Sequence, residues 1–143
     1  MAGIVGLFGS SGDEALVQRM LDTIWHRGSD QQTFRAEGSL TAGVGAPMLS
    51  PARGNGFAHQ DGIAVLFDGE IYNDRPGGAT DAEVVLRLYR KHGRTFPAYL
   101  KGVFACVVCA ENELLLARDA VGVRPMYWGT SRSGHLAFAS EMK

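Results

Sequence analysis

The chain has 143 residues, 45% of them hydrophobic and 20% charged, with a formal net charge of −1 and a pI near 6.4. That length predicts one domain with a buried core, and the balanced charge gives no electrostatic footing for nucleic acid or an anionic membrane surface. No apolar run approaches the ~20 residues of a membrane span, and the first residues lack the basic region and small-residue cleavage site of a secretion signal.

Met1 to Gly9 interleaves three glycines with Ile4, Val5, Leu7 and Phe8 and carries no charge. It reads as a buried strand that begins at the terminus itself. Termini are ordinarily polar and frayed, and one chemistry requires the opposite. When the initiator Met is removed, residue 2 supplies a nucleophilic side chain while its free α-amino group, with a pKa of about 8, relays the proton. Residue 2 here is Ala2, which has no nucleophile. Ser11 to Glu14 has the pattern of a capping box, opening a helix whose Val17, Met20, Leu21 and Ile24 form one apolar stripe and which ends near His26-Arg27-Gly28.

Two short strands are expected around Thr33-Phe34-Arg35 and Leu40-Thr41-Ala42, followed by an aperiodic stretch, Gly43 to Gly62, that reads as a long loop. Loops of that length in a compact domain are often functional. A buried strand, Gly62 to Phe67, runs straight into Asp68-Gly69-Glu70-Ile71-Tyr72-Asn73. A turn from Asp74 to Ala79 precedes a second capping box, Thr80 to Glu83. Its helix carries Val84, Val85, Leu88 and Tyr89 and stops at Gly93. After a short helix or turn at Phe96–Leu100 come four strands, Val103–Cys109, Glu113–Arg118, Met126–Gly129 and His135–Ala139. Cys106 and Cys109 lie on the first of these, where strand spacing puts their side chains on opposite faces. With no second pair and no nearby His they read as core thiols in a reducing, cytoplasmic setting. This order of elements predicts an α+β fold, antiparallel sheets with helices outside.

Several of these segments together resemble successive motifs of class II glutamine amidotransferase domains of the asparagine synthetase type. They are the N-terminal strand, His26-Arg27-Gly28-Ser29-Asp30, Asp68 to Asn73 and Thr80-Asp81-Ala82-Glu83-Val84. Arg118-Asp119 with Gly122, Arg124, Pro125 and Tyr127, and then Phe138 to Lys143, extend the likeness over the whole chain. The resemblance implies a four-layer αββα N-terminal-nucleophile sandwich spanning residues 1–143. In that family the domain hydrolyses glutamine and sends ammonia to a synthetase domain that activates a carboxylate with ATP. No G-x-x-x-x-G-K-[ST] loop occurs in this sequence. ATP chemistry and the synthetase domain are therefore expected to lie outside the chain, and no cofactor or metal is implied.

Carried over position by position, the resemblance puts the catalytic Cys at Ala2, the carboxylate-binding Arg at Met48 and the oxyanion-hole Asn at Asp68, with its partner Gly69 retained. Glu70 and Asp81 correspond to residues that hold the substrate's amino group. A methyl group cannot form an acyl-enzyme, loss of one oxyanion donor costs roughly 2.7–4 kcal/mol, and an Arg-to-Met exchange removes a charge-assisted bond of about 1.5–3 kcal/mol. Arg53, five residues beyond Met48, is an alternative source of the missing charge. Taken without it, Asp68, Glu70 and Asp81 would face one cavity with no evident cation, a site that should favour an amine over glutamine's carboxylate.

Plainer roles stand beside these. His26 and Arg27 either wall the site or close a helix C-terminus. Asp81 either binds or complements a helix dipole, Glu70 either faces the pocket or is a solvated turn residue, and Arg118 with Asp119 reads as a structural pair. Three functions remain open. One is a glutaminase-inactive scaffold for an ATP-dependent amide-forming synthetase; lactam- and macrolactam-closing relatives of asparagine synthetase are similar in lacking this Cys. Another is an active amidotransferase silenced by a deliberate Cys-to-Ala exchange. The last is a stand-alone module binding glutamine, another amino acid or a small amine.

Overall fold

The computed structural model describes residues 2–9, 13–28, 30–47 and 53–143. Two antiparallel sheets are stacked face to face with one helix on each outer side. The first sheet has the order β2-β3-β1-β9-β8, from β1 (Gly3–Phe8), β2 (Gln31–Glu37), β3 (Leu40–Ala46), β8 (Tyr127–Thr130) and β9 (Leu136–Ala139). The second has the order β4-β5-β6-β7, from β4 (Phe57–Gln60), β5 (Ile63–Ile71), β6 (Gly102–Ala110) and β7 (Glu113–Arg118). Helix α1 (Glu14–Thr23) packs on β1 and β3, and α2 (Asp81–His92) packs on β4 and β5. This is the expected α+β, αββα layering.

Strand alternation builds three apolar layers. Ile4, Leu40, Val44, Leu66, Val107 and Phe138 meet between the sheets. Val5 and Leu7, on the other face of β1, pack under Val17, Leu21 and Ile24 of α1. Val65, Phe67 and Val108 pack under Val84 and Val85 of α2. Cys106 belongs to the α2 layer and Cys109 to the inter-sheet layer, so the two thiols do lie on opposite faces of β6. Burial pushes the Cys106 thiol up to about 12, which leaves it inert.

The Thr80 capping box forms as expected. The Glu83 N–H donates to the Thr80 hydroxyl at 3.3 Å, and the Thr80 N–H donates to the Glu83 carboxylate at 2.7 Å. The first cap differs from expectation. Asp13 caps α1, accepting from the Leu16 N–H at 3.2 Å, while Ser11 lies outside the described residues. The helix also ends earlier, at Thr23, and a 3-10 turn, Trp25–Arg27, follows it. The 43–62 stretch is not one loop. β3 continues through Ala46, and β4 pairs with β5 from Phe57↔Leu66 to Gln60↔Ile63. Gly43 and Gly45 break the apolar pattern of β3, yet the strand is fully buried because its neighbours come within backbone contact. A Cβ on Gly45 would lie 2.5 Å from the Gly28 carbonyl oxygen. That close approach presses the 3-10 turn, and Arg27 with it, onto the sheet.

The last residues return to the first strand. The Ile4 N–H donates to the Ser140 hydroxyl at 2.9 Å, and the Ser140 N–H donates back to the Ile4 carbonyl at 2.8 Å. β1 is thus flanked by β3 on one side and by β9 on the other.

Candidate functional site

At the start of β1 and the C-terminal half of β5 lies a cavity of about 280 Å³, lined by Ala2, Ala46, Arg53, Phe67, Asp68, Gly69, Glu70, Asp81 and Arg124 among others. Of the sequence-predicted residues, Ala2, Asp68, Gly69, Glu70 and Asp81 are brought together here. Met48 lies outside the described residues.

Asp68 continues the inward face of β5 set by Ala64 and Leu66, so its carboxylate enters the interior fully buried. One oxygen accepts the Ala2 N–H at 3.1 Å, and the other accepts from Arg27 at 3.0 Å. Arg27 is itself buried and spreads its planar fork over three partners. Nε donates to the Ala2 carbonyl at 3.2 Å, one terminal nitrogen to Asp68, and the other to Glu141 at 3.0 Å. Arg27 thus ends the 3-10 turn, as one expectation had it, but its guanidinium goes to these three partners and does not line the cavity. It ties the chain's first described residue to β5 and to the C-terminal segment. His26, at the surface, pairs with the same Glu141 at 2.9 Å. Lys143, Arg27 and His26 together hold the Glu141 carboxyl down at about 2. Asp68 behaves oppositely: burial lifts its carboxyl above the ordinary range, against the pull of Arg124, Arg27 and the chain's N-terminus.

Gly69 is the next residue of β5, at φ 138°, and a Cβ there would lie 2.1 Å from the Val103 carbonyl oxygen. Only glycine fits this spot. Glu70 is half-exposed at the cavity mouth, 3.5 Å from Arg53. Asp81 opens α2, presented by the Thr80 cap. Its buried carboxylate pairs with Arg75 through one oxygen and lies 3.6 Å from Arg53 through the other. Burial raises its pKa, against the opposing pull of Arg75 and Arg53.

The expectation of three carboxylates without a cation is overturned. Arg53 and Arg124 line the cavity, and Arg27 and Arg75 bond its carboxylates. Arg124 arrives from a loop far along the chain, and its delivery depends on Asp119. That carboxylate accepts from the backbone N–H groups of Gly122 at 2.7 Å, Val123 at 3.0 Å, Phe104 at 3.1 Å and Arg124 at 3.3 Å. Burial alone would raise the Asp119 pKa, but these four donors hold it below the usual range. Asp119 is structural, then, but its partners are backbone amides and not Arg118. Arg124 belongs to the Asp119-Gly122-Arg124 motif of the resemblance, though spacing alone does not place it in the cavity, and Arg75 lies inside the turn before the second cap.

A family model described as a glutamine amidotransferase domain matches residues 1–143. The chain belongs to that family. The domain is 33% identical to a glutamine-hydrolysing asparagine synthetase of Sandersonia aurantiaca, and 33% identical to one of Brassica oleracea. Both alignments cover 100% of the chain, and it spans only 31% and 28% of those relatives' lengths. Among solved structures it resembles a glutamine phosphoribosylpyrophosphate amidotransferase from B. subtilis, with a TM-score of 0.79 at 17% identity over 97% of this chain and 42% of that one. The domain therefore has the N-terminal-nucleophile amidotransferase fold, of the asparagine synthetase type by sequence. None of its described helices is long and apolar enough to cross a membrane.

Proposed function

We propose that this amidotransferase domain is silent toward glutamine and serves as the scaffold of an ATP-dependent amide-forming synthetase, domain or subunit, in a reducing cytoplasmic setting. The reading rests on one arrangement: Ala2 occupies the nucleophile position, and the residue at the oxyanion position, Asp68, is a buried carboxylate bonded to the Ala2 N–H and to Arg27. A group that accepts these bonds offers no donor to a developing oxyanion, and its charge opposes one. The nucleophile is missing as well. Two elements of the family's chemistry are thus replaced by contacts that hold the fold.

The length of the asparagine synthetase relatives supports a synthetase partner, since the matched region is about a third of each. Exposed Tyr127, Trp128 and Met142, which line one shallow groove, support a surface that works against another protein. The decisive experiment is glutamate release from glutamine by Ala2→Cys, with loss of Met1 confirmed by intact mass. Robust turnover by that single variant would mean that Ala2 alone silences a working amidotransferase and would refute the part of the reading that rests on Asp68.

A further inference from the structure

β8 is an edge of the first sheet. It pairs with β9 alone among the described strands, and all four of its residues are exposed. From Met126 to Ser131 the chain carries no charge and no proline, the devices that ordinarily keep sheet edges apart. The Ser131 N–H donates to the His135 carbonyl at 2.7 Å. Alternation along the antiparallel ladder then turns the N–H and C=O of Trp128 and Thr130 outward, away from β9. The side chains alternate too. Trp128 stands across from Phe138 of the inter-sheet layer, and Tyr127 across from Ala139 of the α1 layer. Five strands face four, and Trp128, on the inward face of this edge, is 68% exposed. A Cβ on Gly129 would meet nothing within 4 Å.

We propose that β8 pairs antiparallel with β8 of a second copy of this chain across a two-fold axis, joining two five-stranded sheets into one. Centred on Trp128, the axis sets the outward N–H and C=O of that residue against those of its counterpart. On the inward face the two indoles then form a cross-strand aromatic pair. On the other face Tyr127 of each copy lies opposite Gly129 of the other, whose open space receives the ring. The strand is thus complementary to itself, as an isologous dimer requires. A net charge of −1 per chain puts little repulsion between the copies. A buried aromatic covers about 150–250 Å². The exposed parts of Trp128, Tyr127 and Met142 on two copies, with the paired edges, therefore amount to roughly 1,000 Å², the lower bound for a specific interface. That area suits a weak, concentration-dependent dimer. The pairing stands whether or not glutamine is hydrolysed, so oligomeric state and glutamate release test separate statements.

The experiment is sedimentation velocity on the whole chain from about 1 to 300 μM, where a dimer is expected to grow in over the upper two decades, the weak range that fits such an area. Trp128→Lys puts a charge on the edge and should leave a monomer throughout. Gly129→Val fills open space and suits a strand, so it should keep the Tm of the parent yet lose the dimer by opposing Tyr127 of the other copy. Register is read by cross-linking. Tyr127→Cys mixed with Gly129→Cys should form a disulfide-linked dimer under mild oxidation faster than either variant alone, since Cys106 and Cys109 are buried. A chain that stays monomeric at every concentration leaves this edge to a partner of different sequence and overturns the pairing. So does a dimer undiminished in both Trp128→Lys and Gly129→Val, or one that cross-links no faster in the mixture.

Discussion

Arg27 and Asp68, 41 residues apart, meet in a buried pair at 3.0 Å and between them hold both polar groups of the Ala2 peptide. The guanidinium takes the carbonyl and the carboxylate takes the N–H. Residue 2, which in an N-terminal-nucleophile enzyme has to be poised for chemistry, is here secured by its backbone.

That grip governs what a restored thiol can do. Ala2→Cys alone is expected to release no glutamate above background. Adding Asp68→Asn replaces a repelling carboxylate with an amide that has N–H donors. The double variant should exceed the single one by on the order of 10²–10³ in turnover, the scale of one oxyanion donor. Initial-rate glutamate assays on both proteins check this, and equal rates in the two would show that Asp68 is not what blocks the site.

Arg27→Gln should be the most damaging single change near the cavity, because it removes the one cation hydrogen-bonded to buried Asp68 and leaves only Arg124, at 3.9 Å. Breaking one side of a buried pair costs about 3–5 kcal/mol. Asp68→Asn should cost less, since an amide still accepts a bond. Urea unfolding of the two single variants and the double one should give a coupling of about 0.5–3 kcal/mol. Strict additivity would show that the pair acts independently.

The pH profile should have two limbs of opposite sign. Asp68 and Asp81 have carboxyls raised above 3.8 by burial. The native state therefore binds their protons first, and stability increases as pH falls through their raised values toward 3.8. Glu141, lowered from 4.5 to about 2, and Asp119, also lowered, act the other way. Their contribution is complete above the unfolded values and is lost as pH falls, for Glu141 between about 4.5 and 2. Chemical denaturation from pH 7 to 2 should show the rise before the fall. Glu141→Gln should flatten the acid limb, and an unchanged limb in that variant would remove Glu141 from the account.

Thr80→Ala should destabilise the fold by about 1 kcal/mol, the usual cost of losing a helix N-cap. Its effect should reach the cavity too, since Thr80 precedes Asp81 and packs where a Cβ on Gly54 would come within 2.7 Å. Urea denaturation measures the first effect.

Much of this architecture was legible in the chain. Both helices, the strand at the terminus, the Thr80 cap and the run of late strands follow from periodicity and capping chemistry. β4 and the second half of β3 were not, because Gly43, Gly45 and the short Phe57–Gln60 strand lack the bulky alternation that marks strands; backbone approach and pairing make them. In the site, Ala2, Asp68, Gly69, Glu70 and Asp81 were recognisable by their neighbours in sequence. Of their cations only Arg53 was, as the alternative to Met48. Arg27 was readable equally as a helix end, and Arg124 reaches the cavity only through a turn whose organiser, Asp119, bonds to backbone. Charge balance in a cavity is a property of three-dimensional convergence, and spacing along the chain does not carry it.

The position of β1 sets a schedule for assembly. As the chain leaves the ribosome its first strand can pair early with β3, at Ile4↔Val44, but its other edge waits for Val5↔Ala139. Until β9 has emerged, an apolar strand at the middle of a sheet has an open side, a state that invites capture by other chains. The bonds between Ser140 and Ile4 close it last. β1 is therefore made well before the strand that closes its second edge, and its apolar residues are fully enclosed only once β9 has joined it.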